Sequence, residues 1–467
     1  EQMNRMKKIF VALFCFKCSL LYAQQFYEKT PEAMHWVDSV FNSLNDKQRV
    51  AQLFVLRLSG TTANGVAFYD KEVMEAVQKY NIGAVCPFQG GPAKLATIIN
   101  NLQQAAKTPL MVCIDGETGL GMRMLDSVMK LPDQITMGAI NDADLLFRIG
   151  KAMGRQCKRA GIQVDYAPVA DINNNPANPV INFRSLGEDK YKVALYATQI
   201  MKGLQSENVM ACAKHFPGHG DVAVDSHFDL PVINKSRQQL DSLELYPFRQ
   251  LFANGIGSVM IAHLSIPAID TTKNLPTSLS KNNIQNLLRN ELGFQGTSFT
   301  DALEMKGVAK YYPGSEGSLQ SLIAGNDMLC LPGDVPGSID KIMAAIKKKQ
   351  LSKDDMYARV KKVLLAKYHL GLMNAPVTDI ANLQADLNAE IPALRNEVAE
   401  KAITLLRNDD APMLLLDSNN KTAYIAIGIS SANTIAKKMK EKYGADVFFF
   451  GYNDDETKAN SLVQSIK

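Results

Sequence analysis

The sequence predicts an α/β protein built on a TIM (β/α)8 barrel, followed by part of a smaller α/β domain. Short apolar, β-branched runs alternate with longer stretches of helical periodicity, which is typical of repeated βα units. Eight such runs occur within roughly 300 residues, as a TIM barrel requires. Polar residues end or follow several of the runs, where a barrel carries its catalytic groups. A doubly wound open sheet is the alternative.

The eight apolar runs are predicted to form the barrel strands in chain order. They span residues 51–58, 82–88, 110–115, 163–169, 210–216, 258–264, 297–303 and 327–331. The intervening segments are rich in Ala, Leu, Lys, Glu and Gln, which favour helix. The predicted helices span 71–80, 143–160, 190–207, 243–254 and 281–291, with a closing helix over 353–370.

The domain prediction places a signal peptide over 1–23, the barrel domain over 30–372, a linker over 373–389 and a partial α/β domain over 390–467. Gly371 and Pro376 indicate the linker. The second domain is predicted to contain helices over 390–405 and 433–443, and strands over 413–417, 423–429 and 447–452.

The first residues indicate export. Arg5, Lys7 and Lys8 precede an apolar run over 9–22, which is the pattern of a secretory signal peptide and too short to span a bilayer. An uncleaved anchor is the alternative. We therefore expect a secreted or periplasmic protein, cleaved after Ala23, with no membrane span after cleavage.

The net charge argues against nucleic acid as a partner, and the cysteines argue against a disulfide-linked fold. The formal charge is +4, and residues 1–23 carry most of it, so the remaining chain is nearly neutral. A nearly neutral body gives no electrostatic reason to expect nucleic acid as a partner. The five cysteines after the signal lie in apolar or helical runs, which favours buried thiols over disulfides.

The densest polar segment, 214–227, follows the fifth predicted strand and contains three of the six histidines. Pro217, Gly218 and Gly220 predict a loop here, and its glycines would let the backbone approach a ligand. A zinc site is one alternative, with His215, His219, Asp221 and His227 as the possible ligands. Pro217 and Gly218 exclude the helical His-x3-His arrangement, so this alternative is weak. A purely structural loop is the other.

A second polar position, Asp301, ends the seventh predicted strand. An isolated Asp at a strand end is often a helix cap. In a barrel, however, Asp301 would face the same mouth as the histidine-rich loop. A carboxylate nucleophile facing an acid/base is the arrangement that retaining glycosidases require.

These segments resemble glycoside hydrolase family 3, in particular its NagZ-type β-N-acetylglucosaminidases. The resemblance rests on residues 214–232 and on Phe299-Thr300-Asp301-Ala302-Leu303, and it covers roughly residues 35–370. Supporting matches are Asp115-Gly116-Glu117 with Arg123, Asn178-Pro179-Val180-Ile181, Arg184-Ser185-Leu186-Gly187-Glu188-Asp189, Met260-Ile261-Ala262-His263 and Ala324-Gly325-Asn326-Asp327-Met328. Where the family usually has a pair of glycines, this chain has Glu117-Thr118-Gly119. The difference concerns the wall of the sugar pocket and leaves the implied reaction type unchanged.

The resemblance implies a role for each matching residue. Asp301 would be the nucleophile, and His227, paired with Asp225, the proton donor. A histidine with an ordinary pKa of ~6.5 already exchanges protons near neutrality, and Asp225 would orient its ring. The terminal sugar would be bound by Asp115, Arg123, Arg184, Lys214 and His215. Arg123 or Arg184 could instead form a structural salt bridge. Asp171 and His263 are not assigned to the catalytic pair.

The resemblance implies a retaining, exo-acting β-N-acetylglucosaminidase that acts on peptidoglycan or chitin-type fragments, with a carbohydrate substrate and no metal or organic cofactor. A family 3 β-glucosidase is one alternative, although its acid/base resembles a Glu from a later domain. Phosphorolysis is another, since a neutral histidine repels phosphate less than a carboxylate does. A sugar-binding protein on a decayed barrel is the non-enzyme alternative, and intact Asp301, Asp225 and His227 argue against it.

Overall fold

The fold is seen in a computed structural model that describes residues 25–225, 229–374, 377–406 and 421–466. The predicted signal peptide, His227 and the predicted strand 413–417 lie outside the described residues. The chain divides into two compact units after Ile403.

The first unit is an eight-stranded parallel barrel, and all eight predicted runs contain one of its strands. In chain order the strands of this unit are β1 (Phe54–Arg57), β2 (Ser59–Thr62), β3 (Gly65–Phe68), β4 (Ala84–Cys86), β5 (Met111–Ile114), β6 (Val164–Asp165), β7 (Met210–Phe216), β8 (Ser258–Ile261), β9 (Thr297–Thr300) and β10 (Leu329–Cys330). The barrel strands follow the order β10-β1-β4-β5-β6-β7-β8-β9. The predicted TIM barrel is therefore confirmed.

The two ends of the sheet meet between β9 and β10. Phe299 and Met328 form a parallel bridge, and the Thr300 N–H donates to the Met328 carbonyl at 3.0 Å. The interior is filled by buried side chains, among them Tyr166, whose ring lies edge-on to Phe299 with centroids 5.2 Å apart. This closure places the carboxyl ends of all eight strands around one mouth.

Helices surround the barrel and connect its strands. They comprise Pro31–Ser43, Asp46–Ala51, Asp70–Tyr80, Pro92–Ala105, Gln134–Gly138, Ala143–Arg159, Lys190–Ser206, Arg237–Ser242, Leu245–Ala253, Lys306–Ala309, Ser315–Ala324, Val335–Lys347 and Lys353–His369, with a π-helix over Asn282–Glu291. The five described cysteines are buried free thiols, as predicted. No helix among the described residues is both long and apolar enough to cross a bilayer.

The antiparallel β2–β3 hairpin was not predicted. Thr62 pairs with Gly65, whose φ of 100° is a conformation that glycine adopts readily. The Asn64-Gly65 pair is the turn signal that could have indicated it. The hairpin follows β1 directly, so it rises at the barrel mouth.

The boundary between the two units differs from the predicted linker. Helices Leu383–Asn388 and Ile391–Ala402 belong to the first unit. The Arg148 guanidinium donates twice to Glu397, at 2.9 and 2.6 Å, and Gln156 Nε2 donates to the Leu387 carbonyl at 2.7 Å. These contacts, and the buried side chain of Val398, fix both helices on the barrel.

The described residues of the second unit form a parallel pair of strands and two helices. Its elements are β11 (Ala423–Ile427), helix Thr434–Tyr443, β12 (Asp446–Phe450) and helix Glu456–Ile466. The first three match predicted elements, and the last helix was not predicted.

Candidate active site

A cavity of about 450 Å³ opens at the carboxyl ends of the barrel strands. This volume lies within the roughly 300–1,000 Å³ of small-molecule sites. Six predicted site residues line it: Asp115, Arg123, Arg184, Lys214, His215 and Asp301. The structure thus brings the predicted sugar-binding residues and the predicted nucleophile to one cavity.

The charge network of this cavity centres on Lys214. Its side chain is only 1% exposed, and its ammonium lies 2.7 Å from both Asp115 Oδ1 and Glu117 Oε1. Burial alone would lower the pKa of Lys214, but the two carboxylates outweigh it and raise that pKa above its ordinary value. Lys214 is therefore a fixed cation at the base of the cavity.

Asp115 also contacts Arg123. The Arg123 Nη2 lies 3.2 Å from Asp115 Oδ2, and Arg123 Nε donates to the Asp115 carbonyl at 2.9 Å. Burial would raise the pKa of Asp115, but Lys214 and Arg123 reverse the shift and lower it. Asp115 is thus held ionised, and its oxygens can accept hydrogen bonds from hydroxyls.

Glu117 is a site residue to which the sequence analysis gave no role. Its side chain is 3% exposed and pairs with Arg184, whose Nη2 and Nε donate at 2.7 and 3.0 Å, as well as with Lys214. Burial opposes ionisation, but Arg184 and Lys214 lower the pKa of Glu117 well below its ordinary value. In the sequence, its position two residues after Asp115 could have indicated a role in the site.

The two arginines are both structural and cavity-lining. Arg123 is paired with Asp115 and Arg184 with Glu117, so the salt-bridge alternative holds for each. Both also line the cavity, so each can present further N–H groups to a ligand.

His215 is oriented by Asp171, which is fully buried. His215 Nδ1 donates to Asp171 Oδ2 at 2.7 Å, and the backbone N–H of His219 donates to the other carboxylate oxygen at 2.7 Å. Burial would raise the pKa of Asp171, but the charge of His215 lowers it overall. Asp171 therefore fixes the ring of His215, whose Nε2 lies 3.4 Å from Arg184 Nη2.

The loop after β7 is held by packing against its neighbour. Asn178 donates to the carbonyls of His219 and Gly220 at 2.8 and 2.9 Å. A Cβ on Gly220 would lie 1.7 Å from the Ile172 carbonyl oxygen. Gly220 is thus required by contact with the preceding βα loop, whereas the sequence suggested approach to a ligand.

His219 lines the same cavity. Burial, and then the charge of His215, lower the pKa of His219 to about 4, so its ring is neutral at pH 7.

Within the described ranges, no group of three or more His, Cys, Asp or Glu side chains is arranged to hold a metal ion.

Asp301 follows β9 and lies across the mouth from Asp115. Their strands, β9 and β5, are four positions apart in the ring of eight. The Asp301 N–H donates to the Ile261 carbonyl at 2.9 Å, and Asp301 Oδ1 accepts from the Ala302 N–H at 2.7 Å. His263, fully buried, donates from Nε2 to the Ala302 carbonyl at 2.9 Å, so it supports the backbone beside Asp301.

The predicted acid/base pair is described only in part. Asp225 is half-buried, and it is not among the described side chains that line the cavity. His227 lies outside the described residues. The pairing of Asp225 with His227 therefore stays a prediction.

Comparison with known proteins identifies relatives over most of the chain. Residues 46–366 match the family model for the glycosyl hydrolase family 3 N terminal domain. β-Hexosaminidase A of Pseudoalteromonas piscicida is 30% identical over 382 residues, which cover 75% of this chain and 64% of the relative. The chain thus spans less than two thirds of that relative's length.

Two solved structures are also similar to this chain over most of its length. A glycoside hydrolase family 3 β-N-acetylglucosaminidase from Paenibacillus sp. is 31% identical, with a TM-score of 0.77 over 90% of this chain and 82% of that one. A β-glucoside phosphorylase has a TM-score of 0.83 at 23% identity, covering 93% of this chain and 81% of its own. The likeness to the phosphorylase concerns the fold alone.

The buried pairing of Glu117 predicts a large stability effect for Glu117→Gln. The substitution leaves Lys214 and Arg184 with one charged partner fewer, and we expect a loss of roughly 3–5 kcal/mol in the free energy of unfolding at pH 7. A carboxylate whose pKa is lowered by folding stabilises the folded state at pH values above its unfolded-state pKa. This stabilisation is lost as the pH falls through its folded-state pKa. The difference should therefore shrink below about pH 4.3, the glutamate pKa of an unfolded chain.

Urea unfolding followed by circular dichroism measures both effects. Glu32→Gln, at an exposed position of helix Pro31–Ser43, is the matched control and should change stability by less than about 0.5 kcal/mol. A Glu117→Gln protein as stable as the control at pH 7 would contradict the assignment.

Proposed function

The chain belongs to glycosyl hydrolase family 3, and on that basis we propose that it is a retaining, exo-acting β-N-acetylglucosaminidase. The observation that carries the proposal is the cavity itself, in which Asp301 lies across the mouth from the Asp115–Lys214 pair. A sugar bound between them would have its hydroxyls at one side and its anomeric carbon at the other.

The sugar-binding side offers both donors and acceptors. Asp115 accepts from hydroxyl groups, while Lys214, Arg123 and Arg184 donate to hydroxyl oxygens. Because these charges are already paired, they are positioned before a sugar binds. Such preorganisation reduces the entropic cost of binding.

The proposed reaction has two steps. Asp301 attacks the anomeric carbon and forms a covalent ester while His227 protonates the leaving glycosidic oxygen. His227 then takes a proton from water, which attacks the same carbon and releases Asp301 as a carboxylate. Asp225 orients the His227 ring. The backbone contacts of Asp301 with Ile261 and Ala302 support its role by fixing the carboxylate at the cavity.

The named relatives support the acetamido sugar over glucose. One is named β-hexosaminidase A, and the Paenibacillus structure is named a β-N-acetylglucosaminidase. We propose peptidoglycan or chitin-type fragments as the natural substrates.

We also propose that the protein is secreted or periplasmic, because residues 1–23 have the pattern of a signal peptide. Amino-terminal sequencing of protein purified from a periplasmic fraction or culture medium should begin at Gln24. An intact first residue in a membrane fraction would favour the uncleaved anchor.

Hydrolysis of p-nitrophenyl β-N-acetylglucosaminide, compared with the β-glucoside, tests the proposed activity. We expect preference for the acetamido sugar, and a loss of at least about 10²-fold in kcat for both Asp301→Ala and His227→Ala. Glu32→Gln is the control and should match the wild type.

Two outcomes would change the proposal. Preference for the glucoside, or an unaffected His227→Ala enzyme, would overturn the NagZ-type assignment. Product release that requires inorganic phosphate would make the protein a phosphorylase instead of a hydrolase.

A further inference from the structure

The carboxyl group of Asp165 is buried behind the sugar-binding side of the cavity, and the proposed reaction does not use it. Asp165 ends β6, is fully buried and does not line the cavity itself. We propose that Asp165 is a positioning residue, which as a neutral acid holds the backbone between Asp115 and Glu117 and weakens sugar binding when it ionises. This inference rests on the proposed function, because the bound sugar is its main readout.

Asp165 contacts the backbone of the segment that carries both sugar-side carboxylates. The Gly116 N–H donates to Asp165 Oδ1 at 2.8 Å, and Gly116 stands between Asp115 and Glu117. Ile114 lies opposite Asp165 where β5 pairs with β6, so the two strands hold this contact in register. Asp165 therefore sets the position of the peptide from which both carboxylates project.

The contact is close enough to require glycine at position 116. A Cβ on Gly116 would lie 3.0 Å from each of the two carboxyl oxygens of Asp165, so that one of the two residues would have to move. The carboxyl group thus lies directly against the Gly116 backbone. Any displacement of this group would therefore shift the segment between Asp115 and Glu117.

The surroundings of Asp165 favour its neutral form. Its second oxygen, Oδ2, is buried and has no hydrogen-bond partner in the described part of the chain. Within the same described ranges, Asp165 forms no ion pair with a cation, since the nearby Lys214 is paired with Asp115 and Glu117. A buried carboxylate with one hydrogen bond and no cationic partner is costly, and protonation removes that cost.

Five titratable groups on three elements act on Asp165. They are Asp115 and Glu117 after β5, Cys212 and Lys214 of β7, and Cys157 of helix Ala143–Arg159. Burial raises the pKa of Asp165 to about 7, since the Gly116 N–H and Lys214 lower it only in part and the two carboxylates oppose them. Burial also raises the pKa of both thiols, so they stay uncharged at neutral pH.

Ionisation of Asp165 would disturb the groups that are proposed to bind sugar hydroxyls. Asp115 and Glu117 already share the Lys214 ammonium, and a third carboxylate behind them would compete for it. The new charge would also repel the two existing carboxylates through the Gly116 contact. The sugar should therefore bind more tightly to the form in which Asp165 is protonated, and proton binding and sugar binding are linked.

Calorimetric titration with N-acetylglucosamine at pH 6, 7 and 8 measures this linkage. With a pKa of about 7, about one tenth of Asp165 is protonated at pH 8, so the wild-type Kd should rise about tenfold from pH 6 to pH 8. Asp165→Asn keeps an acceptor for Gly116 and cannot ionise, so its Kd should change by less than about twofold. The exposed Glu32→Gln is the control and should follow the wild type.

Asp165→Ala separates the positioning role from the charge. It leaves the buried Gly116 N–H without its acceptor, so at pH 6 its Kd should exceed that of Asp165→Asn by about tenfold. An alanine variant that binds the sugar as tightly as the asparagine variant would overturn the positioning role.

Urea unfolding gives a readout that does not depend on the proposed function. Because folding raises the pKa of Asp165 above its unfolded value of ~3.9, the folded state binds an extra proton between the two values. The unfolding midpoint of the wild type, relative to Asp165→Asn, should therefore fall as the pH rises from about 4 to about 7 and then level off. A constant difference over this range would overturn the neutral acid.

The failures are distinguishable. A wild type that binds no N-acetylglucosamine at any pH would overturn the proposed function, and with it the effect of Asp165 on sugar binding. A wild-type Kd that is independent of pH would overturn the role of Asp165 and leave the proposed function intact. A pH dependence that persists in Asp165→Asn would do the same, because it would belong to the histidines of the site.

Discussion

The buried ammonium of Lys214 is the constraint around which the candidate site is organised. A cation removed from water must be matched by nearby anions, and Lys214 is matched by Asp115 and Glu117 at 2.7 Å each. Glu117 in turn requires Arg184, and Asp115 contacts Arg123. The charges are therefore interdependent, and removing one leaves another buried without its partner.

The same network of ion pairs links three neighbouring strands of the barrel at the candidate site. It joins the end of β5, the loop after β6 and the end of β7, which are neighbours in the barrel. The closed barrel then sets Asp301 on the far side of the mouth, and Asp171, Asn178 and His263 hold the loops through buried hydrogen bonds. The geometry across the mouth is thus fixed by the barrel, and the orientation of each side chain by the network.

The barrel could be predicted because apolar, β-branched runs recur at regular spacing, and parallel strands buried on both faces leave this pattern. The side chains at the ends of those runs followed from the same argument. Glu117 and Asp171 had no assigned role because ion pairing with Lys214 and His215 depends on which strands become neighbours. The helix Ile391–Ala402 was assigned to the second domain because its contacts with Arg148 are equally invisible in the sequence.

Trapping the covalent intermediate tests most directly whether Asp301 is the nucleophile. The protein is incubated with a 5-fluoro-N-acetylglucosaminyl fluoride, which slows the second chemical step, and the labelled peptide is sequenced by mass spectrometry. If Asp301 is the nucleophile, one fluoroglycosyl group per chain is expected, attached to Asp301. A label on another carboxylate, or hydrolysis with inversion and no labelled protein, would contradict it.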